Sequence, residues 1–385
     1  MKKKLFFGSL IAMSMFGLAA CGTQKTDSKD TKKTEITYYS FSATPDYEEQ
    51  LNEMIDNFEK ENKDIKVNVQ LVPYNDYFTK LQTLMAGDKA PDVFELNYEN
   101  FVSYADKGAL LDLDGYLEKD ESFNKETYNK EAFEAYQYDG KQYGLVESFS
   151  NVVTFYNKDL FDQAKVDYPT EDWTWNNEIK TANKLTNADD NIWGTYAPVT
   201  MNEFYKVAAQ NGGSLKNDKG EWTINTPENV EALEYMVNNV IKEKNTPSPE
   251  DMSGQLSEDL FMNGQLGMLH TGIWMFSMFE EADFDWYIQV EAGNTNKATH
   301  FFANGLAVSK DTENADASYK LAKFMSSDES VSEIRIDSGW ELPAITNEDI
   351  LSPYLEKGNP ENREAVFKSL DYLTLPPVDP EWSKV

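Results

Sequence analysis

The stretch EITYYSF at residues 35–41 opens a region in which the spacing of apolar residues changes repeatedly. It is rich in aromatic and β-branched residues, as strands are. Residues 47–58 then place apolar side chains at helical spacing, and residues 65–71 (IKVNVQL) alternate strictly between apolar and polar, as a half-buried strand does. Residues 74–85 return to the helical period, and DVFEL at 92–96 gives a third strand. This order of strands and helices predicts a parallel α/β sheet with right-handed crossovers.

Polar residues stand at the carboxyl ends of two of these strands. Ligands of open α/β sheets bind beyond that edge. Ser40 and Ser42 lie at the end of the first strand, and Asn97 and Glu99 follow the third. The loop after the first strand contains no glycine, so it lacks the pattern with which a dinucleotide-binding loop approaches a pyrophosphate. We therefore expect these four residues to contact a ligand other than a dinucleotide.

Composition excludes several classes of function. The chain has 385 residues, and its 67 acidic and 35 basic residues give a formal net charge of −32. Such a surface repels phosphate backbones, so no nucleic-acid partner is expected. One cysteine and two histidines leave no material for a disulfide framework or a zinc centre, and no metal or cofactor is expected. The apolar content of 40% is that of a globular protein, and the length predicts two or three domains.

The N-terminus has the layout of a secretory signal. Residues 1–20 combine three lysines with an apolar run that is too short to span a bilayer. The sequence LAACG at 18–22 resembles a bacterial lipobox, which implies cleavage before Cys21 and lipidation of its thiol. Residues 21–34 are then the lipidated cysteine and a polar tether, with no apolar side chain to bury in a core. We expect a lipid-anchored protein on the outer face of the bacterial cytoplasmic membrane, because two or more acyl chains anchor stably.

Four further segments occur in a recognisable order: APDVFELN (90–97), FYNKDLF (155–161), FMNGQLGMLHTGIW (261–274) and GLAVSK (305–310). Together they resemble the extracellular solute-binding proteins of ABC importers, in the sugar-binding group that includes maltose-binding protein. The resemblance implies an α/β periplasmic-binding-protein-like fold, in which two lobes are joined by a hinge of crossover strands and close around a ligand. Beyond residue 149 we expect a mainly helical chain.

The resemblance also implies a division into lobes. Lobe one would comprise residues 35–146 and 289–339, and lobe two residues 151–286 and 343–385. The chain would cross between them near Glu147–Asn151, Tyr287–Val290 and Trp340–Pro343. Compared with the family, the C-terminus is expected to be truncated.

A sugar site needs aromatic platforms for C–H faces and hydrogen-bonding groups for hydroxyls. Trp274 stands where the resemblance places a sugar-stacking tryptophan, and Trp382 where it places a second platform. The other candidates lie at the implied crossings or beside the cleft: Glu147, Asn151, Trp193, Asn304 and Trp340. His270 lies close to the expected cleft, but it is expected to be a structural residue and not a ligand contact.

The leading interpretation is a monomeric binding protein that captures a mono- or oligosaccharide and delivers it unaltered to the permease subunits of an ABC importer. An extracellular glycoside hydrolase is an alternative, since 67 acidic residues leave room for the two facing carboxylates that such an enzyme needs. A third interpretation is a binding protein for a polyamine, a peptide or an iron complex. Arginine is scarce, with only Arg335 and Arg363, which argues against an anionic ligand.

Overall fold

A computed structural model of the chain describes residues 33–42, 47–217, 219–339, 341–345 and 348–380. The expected signal peptide, Cys21 and most of the tether lie outside the described residues, as do Trp340 and Trp382. Within the described part of the chain, none of the helices combines the length and the apolar character needed to cross a membrane.

The N-terminal α/β unit forms as the periodicity predicts. Strand β1 (Thr34–Ser42) pairs in parallel with β2 (Ile65–Pro73) and with β3 (Val93–Asn97). Helices α1 (Tyr47–Glu61) and α2 (Tyr74–Ala86) connect them. The predicted parallel sheet is therefore confirmed.

The other elements follow in chain order. The remaining helices are α3 Tyr98–Asp106, α4 Asp114–Leu117, α5 Lys130–Glu134, α6 Lys158–Ala164, α7 Trp175–Leu185, α8 Met201–Gln210, α9 Pro227–Ile241, α10 Pro249–Met252, α11 Ser257–Met262, α12 Phe276–Phe279, α13 Ala315–Ser327, α14 Glu329–Ser338, α15 Glu348–Glu356 and α16 Glu364–Leu370. The remaining strands are β4 Gln137–Tyr138, β5 Lys141–Gln142, β6 Gly144–Asn157, β7 Met268–Gly272, β8 Trp286–Gln289, β9 Thr299–Val308, β10 Leu342–Pro343 and β11 Leu373–Thr374.

Two long antiparallel strands, β6 and β9, connect the two halves of the molecule. β9 pairs with β3 on one side and with residues 144–151 of β6 on the other. β6 continues to residue 157, where it pairs with β7 and β8. The main path of the sheet runs β10-β6-β9-β3-β1-β2. Beyond residue 149 the helices α6 to α16 predominate, as expected, and the end of β6 and β7 to β11 are the strands that lie among them. All of β6 is buried, so it shows no strand alternation in the sequence.

The return crossing expected near Tyr287–Val290 needs correction. β8 pairs with residues 154–157 of β6, away from β3. The chain then turns over α7 and α8, where the N–H of Trp175 donates to the carbonyl of Gly293 (2.9 Å) and that of Asn294 to the carbonyl of Gln210 (3.2 Å). The strand that reaches β3 is β9, so residues 291–298 pack with the elements assigned to lobe two. β10, which lies within the expected third crossing, pairs with β6 at Ser148 and Phe149.

Five buried ionisable side chains form a network inside the second half of the molecule. Lys206 donates to Glu203 (2.6 Å) and to Glu291 (2.5 Å), and His270 lies 2.9 Å from Glu291 and 2.8 Å from Glu178. Burial alone would lower the pKa of His270, but Glu178 and Glu291 outweigh it and raise that pKa to about 10. Burial would raise the pKa of Glu291, but Lys206 and His270 lower it to about 2. The two cations thus face three carboxylates in the interior.

We expect the stability of the protein to fall as the pH rises from 7 to 9. When folding raises the pKa of a histidine, protonation of that histidine stabilises the folded state. This stabilisation is complete below the unfolded-state pKa of about 6.5 and is lost as the pH approaches the folded-state pKa. Between about 6.5 and 10 the loss for His270 is about 1.4 kcal/mol per pH unit. Calorimetric unfolding at pH 7, 8 and 9 measures this slope. The variant His270→Gln should show a flatter profile, and a flat profile in the unmodified protein would contradict the expectation.

Candidate functional site

An opening lies on one face of the central strand β9. Phe302 and Asn304 occupy alternate positions of this strand and therefore face the same side of the sheet. Both are only half-buried, although β9 is flanked by β6 and β3. Side chains in the middle of a sheet are covered when an element packs on them. Their partial exposure marks a face of the sheet that the described elements leave uncovered beside the long strands, where ligand sites of this type of sheet occur.

The wall nearest the N-terminal unit is polar. Asn97 ends β3 directly opposite Asn304, so the two amides point to the same face. The Nδ2 of Asn97 donates to the hydroxyl of Tyr74 (3.1 Å), and Asn100 donates to the Oδ1 of Asn97 (2.8 Å). Tyr74 begins α2 and is 43% exposed. This wall offers amide and phenol groups to a ligand.

The opposite wall is aromatic. Trp274 lies in a short 3₁₀ turn after β7, is half-buried, and meets Phe302 edge-on at 5.2 Å between ring centroids. The indole lies directly over Gly272, where a Cβ would stand 1.8 Å from a ring carbon. Only glycine leaves room for the ring in this position. His300 adds a third ring, 3.4 Å from that of Phe302.

Three buried polar side chains, Glu99, His300 and Tyr205, lie between the two walls. The Oε1 of Glu99, on α3, lies 3.5 Å from the Nε2 of His300, and the Nδ1 of His300 lies 2.6 Å from the hydroxyl of Tyr205 on α8. The second oxygen of Glu99 and the Nε2 of His300 are buried without a hydrogen-bond partner among the described residues. Such atoms are rare in folded proteins. A ligand hydroxyl that reached either atom would supply the partner that the described residues do not.

Glu341 borders the opening and lies within the segment of the expected third crossing. Its carboxylate accepts a hydrogen bond from the Nδ2 of Asn304 (3.2 Å) and another from the hydroxyl of Ser148. Burial raises the pKa of Glu341. Because Asn304 lies on β9 and Ser148 on β6, this one carboxyl group ties the segment before β10 to both long strands.

Two residues that the sequence places at the ligand are interior. Ser40 is fully buried and donates to the carboxylate of Glu95 (2.8 Å). Glu147 is 1% exposed and lies 3.1 Å from the guanidinium of Arg335. Burial and the neighbouring Glu147 raise the pKa of Glu95 well above its usual range. These side chains form a polar layer beneath the surface, because their strands are covered on both faces.

The other candidates also differ from expectation. Asn151 is fully buried, and its Nδ2 donates to the carbonyl of Val366 (2.9 Å). Trp193 packs half-buried against the core and pairs with Leu266 in an isolated bridge. The side chain of Ser42 lies outside the described part of the structure. Of the sequence candidates, the structure thus brings together Asn97, Glu99, Trp274 and Asn304.

Five side chains at the opening were missed by the sequence analysis: Tyr74, Tyr205, His300, Phe302 and Glu341. Two of these could have been predicted from their positions in the sequence. Phe302 is two residues before Asn304 on the same strand face, and Glu341 lies inside an implied crossing. Tyr205 and His300 gave no signal, because their meeting depends on how α8 packs against β9.

A separate cavity of about 1000 Å³ lies at the outer surface of the N-terminal unit. Its lining comes from the end of α1, residues 112–122 and α13, and continues to Asp328. None of the candidate ligand residues lines it. Despite its size, this cavity is therefore not the candidate ligand site.

The molecule has two halves that are bridged by long strands, and aromatic and polar side chains line the opening beside these strands. This is the architecture of a two-lobe solute-binding protein. Residues 44–331 match the family of bacterial extracellular solute-binding proteins. Because this match spans most of the chain, the chain belongs to that family.

Three relatives illustrate the similarity. The chain is 63% identical to an ABC substrate-binding protein of Listeria monocytogenes, solved in complex with cycloalternan, over 91% of this chain and 90% of that one, with a TM-score of 0.89. It is 26% identical to the diacetylchitobiose-binding protein DasA of Streptomyces coelicolor, over all of this chain and 91% of the relative. It is 25% identical to the maltodextrin-binding protein MdxE of Bacillus subtilis, over 96% and 86% of the two chains.

Proposed function

We propose that the protein captures an oligosaccharide outside the cell and delivers it to the permease of an ABC importer. The observation that carries this proposal is the 63% identity to the Listeria monocytogenes protein in complex with cycloalternan. At that similarity a shared ligand class is the natural inference, and cycloalternan is the first ligand to test.

The side chains of the opening suit a sugar. Trp274 and Phe302 supply flat apolar surfaces for C–H faces, while Asn97 and Asn304 supply amides that both donate and accept hydrogen bonds. The unpartnered oxygen of Glu99 accepts from a hydroxyl and forms a stronger hydrogen bond than a neutral group does. A neutral, hydroxyl-rich ligand satisfies all of these groups together.

We further propose that the two lobes move about β6, β9 and the segment before β10. Lobe one would hold Asn97 and Glu99, and lobe two Trp274 and Tyr205. Because these residues approach the opening from different sides, bending of the long strands would separate or close them around the ligand. Lobe two would include residues 291–298, which pack on α7 and α8.

Three finer features complete the proposal. Cys21 would carry the lipid that holds the protein at the outer face of the cytoplasmic membrane. The protein would act as a monomer. The ligand would be released with all of its bonds intact, as transport requires.

Isothermal titration calorimetry of residues 33–385 with cycloalternan, diacetylchitobiose and maltotriose tests the function. We expect cycloalternan to bind at least ten times more tightly than the other two. Recovered cycloalternan should be unchanged in mass after prolonged incubation. Absence of binding to every saccharide at millimolar concentration, with binding to a polyamine or a peptide, would overturn the proposal, and so would a cleaved product.

A further inference from the structure

Helix α9 carries apolar side chains on its solvent side. Its buried face contributes Ala232 and Met236 to a small core with α8. A second row of apolar residues follows at intervals of three and four, which places its members on one side of the helix. This row, which we term the α9 stripe, consists of Val230, Leu233, Val237 and Ile241. Three of its members are 42–62% exposed, and Val237 is half-buried.

The α9 stripe belongs to a local concentration of exposed apolar residues. Among the described residues, ten large apolar side chains are exposed, and half of them lie between residues 222 and 241. The turn that precedes α9 holds Ile224, 45% exposed, and Asn229 fixes this turn to the helix by donating to the carbonyl of Thr223 (2.9 Å). Single exposed apolar residues are ordinary, but a contiguous patch marks an interaction surface.

The charges beside the stripe restrict the partner. Glu228, Glu231 and Glu234 are exposed along α9, whereas the exposed basic residues Lys242 and Lys244 lie only beyond its last turn. A complementary surface combines apolar side chains with lysine or arginine. A second copy of this chain is a poor partner, because two chains that each carry a net charge of −32 repel one another.

The size of the stripe indicates a short-lived contact. Eleven residue steps along a helix cover roughly 16 Å. Four side chains over that length bury far less than the roughly 1,200–2,000 Å² of a stable interface. A carrier that must leave its partner after each delivery needs such a contact.

We propose that the α9 stripe docks against an extracytoplasmic segment of the ABC permease whose apolar residues are flanked by basic ones. This inference rests on the proposed function for the identity of the partner. It assigns to α9 a recognition role that is separate from the ligand opening.

Photo-cross-linking in intact producing cells tests the docking directly. The photoreactive residue p-benzoylphenylalanine replaces Leu233 in one variant and Leu256 in a control variant, since Leu256 is 61% exposed and lies outside α9. We expect an adduct with an ABC permease subunit from position 233 and at least tenfold less from position 256. Equal yields at both positions, no adduct, or an adduct with a second copy of the chain would overturn the inference.

Uptake measurements separate this inference from the proposed function. Leu233→Asp and Glu234→Lys should each reduce the uptake of labelled cycloalternan at least tenfold while its dissociation constant, measured by calorimetry, changes less than twofold. The matched control Leu256→Asp should leave both unchanged. Normal uptake by Leu233→Asp would contradict the docking role. If the unmodified protein binds no cycloalternan, the proposed ligand is wrong, and the cross-linking result still decides the role of α9.

Discussion

Replacing Lys206 with methionine should lower the free energy of unfolding by roughly 3–5 kcal/mol. Lys206 is fully buried, and its ammonium group lies between the carboxylates of Glu203 and Glu291. Methionine keeps most of the volume but removes the charge. The carboxylates that remain are then buried with His270 as their only cation in the network, and an uncompensated buried charge is strongly destabilising.

Chemical unfolding followed by tryptophan fluorescence measures this loss. Lys368→Met is the matched control, because Lys368 pairs with Glu171 at 3.7 Å on the surface, where both side chains are about half exposed. Exposed pairs of this kind contribute about 0–1 kcal/mol. The double variant Lys206→Met/Glu291→Gln should recover part of the stability. If Lys206→Met is no more damaging than the control, the network does not stabilise the lobe in the way its geometry implies.

No sequence pattern predicted this network. Its members come from α7, α8, β7 and the segment after β8, so they meet only when the second half of the molecule has folded. The N-terminal unit is the opposite case. There α1, β2 and α2 each bury one face, and the apolar spacing of the sequence therefore reveals both the element and its buried side.

The candidate site shows the same limit. Asn97 and Glu99 were predictable, because they follow a strand whose carboxyl end defines an edge of the sheet. Glu147 was not, because β6 is buried along its whole length and its register against β9 shifts between Val146 and Ser148. A one-residue shift exchanges the two faces of a strand. The sequence pattern therefore could not predict the side of the sheet to which Glu147 points.

Replacing Trp274 with alanine should weaken the binding of cycloalternan at least tenfold, which corresponds to about 1.4 kcal/mol or more. The indole is half-buried and braced by the edge of Phe302, so one part of it is held while another remains open to a ligand. Losing it removes both a stacking surface and the rigid aromatic anchor that such sites depend on. Calorimetric titration measures the change, and Trp222→Ala, at a 40% exposed tryptophan away from the opening, is the control.

A second variant tests the position of this ring without removing it. The backbone of Gly272 has an ordinary φ of −80°, so alanine is compatible with the chain there, but its Cβ would overlap the indole of Trp274. We expect Gly272→Ala to displace the ring and weaken cycloalternan binding severalfold, with a shift in tryptophan emission. Gly115→Ala, where a Cβ meets nothing within 4 Å, should change neither. If Gly272→Ala shifts the emission but binds as tightly as the unmodified protein, the ring is not a platform for the sugar, and the aromatic wall must act through Phe302.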